Sequence, residues 1–174
     1  MLINFSDLKS IPVAAQNTQT KLGIIKDLVI DPKTGKLFCF LVQTGFFSPL
    51  LALFPPDINK LENDYLLVDA PEALVKPKEI IRANEVLKQK IKILEQSVVN
   101  RKLKKIGTVS DLTLDWESQQ LNRITVTLIP WKGILEAERL IPWNKIIEIT
   151  KDYVMIEEFE RAKIKETVKE FIQT

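Results

Sequence analysis

Four aspartates recur at one spacing, and any chemistry in this chain would start from them. Asp27 and Asp31 lie in LGIIKDLVID (residues 22–31), and Asp111 and Asp115 in IGTVSDLTLD (106–115). On an extended strand every second side chain shares a face, so each pair is aimed one way. One reading is a carboxylate pair for a hard cation, although calcium takes six or more oxygens. The competing reading makes Asp31 and Asp115 turn openers, with Asp27 and Asp111 bonding a neighbouring backbone or side chain. Other catalytic material is scarce. The chain has no histidine, which removes the commonest general base and transition-metal ligand. Five glycines form no phosphate loop or dinucleotide fingerprint, and a single cysteine makes no zinc pair. Cys39 sits between Phe38 and Phe40 with no base beside it, and reads as a buried filler. No catalytic residue, metal or cofactor is assigned, and the protein is expected to be non-enzymatic.

The elements that carry these aspartates occur twice. Gly23/Gly107, Asp27/Asp111, Leu28/Leu112 and Asp31/Asp115 are identical pairs 84 residues apart. Later, LFPPDINKLENDYLLV (53–68) is echoed by LIPWNKIIEITKDYVMI (140–156), with Asp64-Tyr65 answering Asp152-Tyr153. A period this long means two copies of a small domain. In the first copy LGIIKDLVID alternates as a strand, DPKTG supplies turn chemistry and KLFCFLVQTG returns, which makes a hairpin. In the second copy WESQQ replaces the turn without its Pro and Gly. KIKILEQ (90–96) reads as an extra opening strand, and SDLKSIPVAA takes that role in the first copy. INKLE is a short helical turn or an extended segment. Pro71 and Pro77 mark a linker. Ile164, Val168, Phe171 and Ile172 at helical spacing predict an amphipathic C-terminal helix.

This pattern resembles the PRC-barrel family, the small β-barrel named from the H subunit of the photosynthetic reaction centre. The same barrel forms the C-terminal domain of a ribosome maturation factor that binds a small-subunit protein. The motif runs from Leu22-Gly23 to Asp31, with Phe54-Pro55 and Asp64-Tyr65; in the second copy from Ile106-Gly107 to Asp115, with Ile141-Pro142 and Asp152-Tyr153. The likeness does not extend to the membrane helix of the H subunit or the N-terminal domain of the ribosome factor. It implies a mainly β fold of two tandem PRC-type barrels, over 1–75 and 76–158, with the helix predicted from spacing following over 159–174. It also implies a module that holds other macromolecules, here a protein-binding adaptor or assembly module.

Two segments are candidate surfaces. The connection Phe46-Phe47-Ser48-Pro49-Leu50-Leu51-Ala52-Leu53-Phe54 is far more apolar than a usual loop. It either covers its own barrel or the groove between barrels, or offers a docking patch through Phe46, Phe47, Leu50, Leu51 and Phe54. Trp116, at a turn, and Trp131 join it as candidate partner contacts. The second segment is basic: residues 71–105 hold ten Lys/Arg against four Asp/Glu, while the whole chain is only +2. Lys88, Lys92, Arg101, Lys102, Lys104 and Lys105 either form a solvated strand face or meet a polyanion. Partners are accordingly a protein or a second copy, with RNA or the ribosome as the alternative and peripheral membrane contact left open. A metal- or small-molecule-binding enzyme is the third class, which would need a deep polar pocket where the aspartate pairs converge. The one cysteine predicts a reducing compartment, and the N-terminus is a poor signal peptide. The longest apolar run, Phe46–Pro56, holds three prolines and cannot span a bilayer. A cytoplasmic location is expected.

Overall fold

The computed structural model describes residues 1–62, 64–80, 88, 91–130 and 137–157. Two short elements open the chain: β1 (Leu2–Asn4) and the one-turn helix α1 (Phe5–Leu8). The first copy then runs β2 (Pro12–Ala15), β3 (Thr20–Ile30), β4 (Leu37–Gln43), β5 (Leu51–Leu53), β6 (Ile58–Leu61), β7 (Leu66–Val68) and β8 (Leu74–Val75). The second runs β9 (Ser97–Val99), β10 (Lys105–Asp115), β11 (Gln120–Leu128), β12 (Glu138–Pro142), β13 (Ile146–Ile149) and β14 (Tyr153–Ile156).

Strand order repeats. The first sheet is β6-β7-β2-β3-β4-β5, extended by β8, and the second is β13-β14-β9-β10-β11-β12. In both, the opening strand pairs in parallel with the last strand of the motif: Val13 with Leu66, and Val98 with Val154. The fold is therefore mainly β, two tandem curled sheets of the barrel type. INKLE is extended, as β6. Part of the expected linker is strand, since β8 adds to β5. The expected opening strand at 90–96 is displaced to Ser97–Val99. Glu95 adopts φ 65, which breaks an extended run, as Ser10 does at φ 78 before β2. The C-terminal helix expected over 159–174 lies outside the described residues.

The paired glycines and aspartates now have physical roles. A Cβ on Gly23 would lie 2.5 Å from the Gln43 carbonyl oxygen, and one on Gly107 would run into that of Thr127. Only glycine lets the long strand cross its neighbour so closely. Just beyond, both long strands carry bulges at equivalent places: between Ile25 and Asp27 and between Val29 and Ile30, then between Val109 and Asp111 and between Thr113 and Leu114. A bulge bends a strand and sharpens its twist, which is how a sheet curls. The Asp27 carboxylate accepts the Leu28 N–H at 2.9 Å, and Asp111 accepts that of Leu112 at 2.8 Å. Asp31 accepts the Lys33 N–H at 2.8 Å and Asp115 that of Glu117 at 3.2 Å, each opening a hairpin turn.

Those two turns meet. The Leu37 N–H donates to the Gln119 carbonyl at 2.8 Å, and the Leu121 N–H donates to that of Gly35 at 2.7 Å. Between them Lys36 bridges Gln120 in antiparallel fashion. Lys36 thus faces its own repeat equivalent, and the Leu37–Gln119 bond recurs as Leu121–Gly35 with the copies exchanged, which is the pattern of a two-fold interface, realised inside one chain. Gly35 has φ 72, and a Cβ on it would lie 2.8 Å from the Trp143 indole. β1 and α1 add a second tie. β1 pairs with β10, Ile3 opposite Leu114, and Thr113 donates to the Asn4 side chain at 2.8 Å. The Ser6 hydroxyl donates to Asp111 at 2.6 Å. One apolar cluster then runs through both copies, from Phe5, Ile25 and Phe40 to Leu112, Ile124 and Ile156.

Gly35→Ala should destabilise the whole molecule. The left-handed backbone costs an alanine about 1–2 kcal/mol, and the methyl must displace the Trp143 ring. Thermal denaturation should show a fall in Tm of roughly 2–8 °C, at about 2–4 °C per kcal/mol for a chain of this size. An unchanged Tm would mean that the turn contact contributes nothing.

Candidate functional site

No three histidine, cysteine, aspartate or glutamate side chains gather for a metal ion among the described residues. Each repeated aspartate is engaged in the hydrogen bonds above. An open groove of about 370 Å³ lies beside the turn contact, lined by Asp115, Ser118, Asn122, Trp143 and Asn144. Its carboxylate is the one that opens the β10–β11 turn. Cys39 is fully buried, and burial pushes its thiol up to about 12, far above the pH at which a nucleophilic thiolate forms.

The apolar connection divides into two parts. At the end of β4 the chain turns sharply at Thr44–Ser48. The Ser48 N–H donates to the Gly45 carbonyl at 3.2 Å, and the Gln43 side-chain amide donates to the Phe46 carbonyl at 3.2 Å. This turn projects Phe46 and Phe47, which are 86% and 93% exposed. Their rings meet edge to face, centroids 4.8 Å apart. Leu50 is also exposed, at 37%. Leu51, on β5, and Phe54 are half-buried. Phe54 packs edge-on against Phe38 at 5.6 Å, over a small outer cluster of Val29, Cys39 and Ala52. The projecting part is thus Phe46, Phe47 and Leu50.

Trp116 sits elsewhere. It is half-buried, with its ring stacked on Phe40 of the other copy at 6.3 Å, and it packs against the shared core. Trp131 lies outside the described residues. The basic residues also separate. Arg101, Lys102, Lys104 and Lys105 crowd the β9–β10 turn and are all exposed. Lys92 lies before β9 and reaches Glu95 at 3.4 Å. Lys88 is exposed. The structure adds Lys145, which donates to Glu157 at 2.8 Å. That bond holds the Glu157 carboxyl below its usual range, and nearby Arg101 adds to the effect. Leu103 went unnoticed in the sequence. It is 61% exposed at the middle of the basic turn, with φ 55. Nothing in the residue order KLKK marks a left-handed leucine.

The Cys39 thiol should resist a thiol-specific disulfide reagent in the native protein from neutral pH to pH 9, and react at once in denaturant. Rapid native labelling would place the cysteine at an accessible surface.

The comparisons agree with this architecture. The sequence profile of the PRC-barrel domain matches residues 2–75 and again 92–163. No curated protein matches the chain. With both copies matched and both built on the same strand order, the chain belongs to the PRC-barrel family, as a tandem of two such domains.

Proposed function

We propose that this protein is a non-enzymatic assembly module that docks a partner protein through the Phe46–Phe47 tip of its first barrel. The observation that carries this reading is the exposure of two adjacent phenylalanines on a turn closed by its own hydrogen bonds. Neither ring supports the barrel, so their stabilising effect is left for association. Burying each in a partner's pocket is worth roughly 1.5–3 kcal/mol, which is the scale of an interface hot spot. Aromatic side chains also lose little conformational freedom when immobilised, since only two torsions are frozen. The repeated aspartates are engaged in backbone hydrogen bonds and Cys39 is packed in an apolar cluster, and no reaction is assigned to them or to the open groove. The setting proposed for the module is the cytoplasm.

The double variant Phe46→Ser, Phe47→Ser tests this. Both side chains are on the surface, so Tm should stay within about 4 °C of the parent, given roughly 0.5 kcal/mol for each surface change and about 2–4 °C per kcal/mol. Association should be lost. Sedimentation velocity reads self-association, and quantitative co-purification from the native cell reads other partners. Retention of every partner by a stable double variant would overturn the proposal.

A further inference from the structure

The β9–β10 turn joins three features in one place. First, it is rigid. The Asn100 side chain accepts the N–H groups of Lys102 and Lys104, both at 3.0 Å. The Asn100 N–H donates to the Lys104 carbonyl at 3.1 Å, and the Leu103 N–H to that of Asn100 at 2.9 Å. Second, it is cationic. Arg101, Lys102, Lys104 and Lys105 are exposed, and no ion pair engages Lys102, Lys104 or Lys105 among the described residues. Lys145 is tied to the same sheet end, since its salt-bridge partner Glu157 follows β14, whose Met155 pairs with Val99 of β9 just before the turn. Third, the turn has an apolar point. Leu103 is held outward in the left-handed conformation, an unfavourable backbone for leucine. Ile129, 41% exposed, lies across the ladder, its N–H donating to the Ile106 carbonyl at 3.0 Å.

We propose that this turn of the second barrel binds the surface of a bilayer containing acidic phospholipid, with its cations at the headgroups and Leu103 inserted between them. The charge fits an anionic surface, and the leucine selects among such surfaces. A phosphate backbone offers no apolar volume at the centre of its contact, and no aromatic side chain lies in the turn for a base to stack on. A bilayer interface offers both headgroup charge and hydrocarbon beneath it. The site is independent of the Phe46–Phe47 tip, which lies in the other barrel.

Co-sedimentation of the full chain with phosphatidylcholine vesicles, with and without phosphatidylserine, tests the proposal. Binding should require phosphatidylserine and weaken with salt. Replacing Lys102 and Lys104 together by Gln should weaken it about 25-fold, at about five-fold for each cation lost from an anionic surface. Leu103→Asn keeps the left-handed backbone, which asparagine tolerates, and should weaken vesicle binding several-fold while leaving its salt dependence unchanged. The Phe46→Ser, Phe47→Ser variant should bind vesicles as the parent does. Absence of binding to phosphatidylserine vesicles would overturn the proposal. So would an RNA oligonucleotide that competes fully while Leu103→Asn has no effect, since that outcome assigns the turn to nucleic acid. Loss of binding in the Phe variant alone would move the membrane contact to the first barrel.

Discussion

Two short backbone hydrogen bonds, Leu37 to Gln119 and Leu121 to Gly35, join the hairpin turns of the two copies, and most of the molecule is arranged around them. They bring each turn against its own repeat equivalent, so one local geometry serves both sides. A barrel of this size is marginal alone. Joining the turns lets Phe40 stack on Trp116 and makes one apolar core out of two. It also leaves the opposite ends of the long strands β3 and β10 away from the contact. The Phe46–Phe47 tip follows β4 beside that end of β3, where Ile24 pairs with Gln43, and the basic turn leads into that end of β10.

The copies share a scaffold and differ on their surfaces. Val29 and Cys39 face each other across β3 and β4 in the first copy. At the equivalent places the second copy has Thr113 and Arg123, with the Arg123 guanidinium donating to the Thr113 hydroxyl at 3.3 Å. Thr113 in turn meets Asn4 of β1, so the N-terminal residues are spent on the second sheet rather than the first. The outer face of the first copy is instead apolar, packed by Phe38, Leu41, Phe54 and Val75. Duplication thus supplied one frame on which two unlike surfaces diverged.

Much of this frame was readable from residue order, because its demands are steric and local. Gly23 and Gly107 stand where a side chain would strike a carbonyl, and such positions accept little else. Asp31 and Asp115 open turns through bonds that span two residues. The strand start near residue 90 was misplaced because the left-handed Glu95 has no signature in sequence. The apolar run 46–54 could not be divided by composition, since Phe46 and Phe54 look alike until strand β5 turns one toward Phe38. Leu103 stayed hidden for the same reason as Glu95. The turn contact depends on long-range pairing, which no local pattern reports.

The claim beneath the rest is that the paired turns and the shared core make the two domains one cooperative body. Differential scanning calorimetry of the full chain tests it directly. The account predicts a single transition whose calorimetric enthalpy equals its van't Hoff enthalpy. Two resolved transitions, or a calorimetric enthalpy about twice the van't Hoff value as independent halves would give, would contradict it.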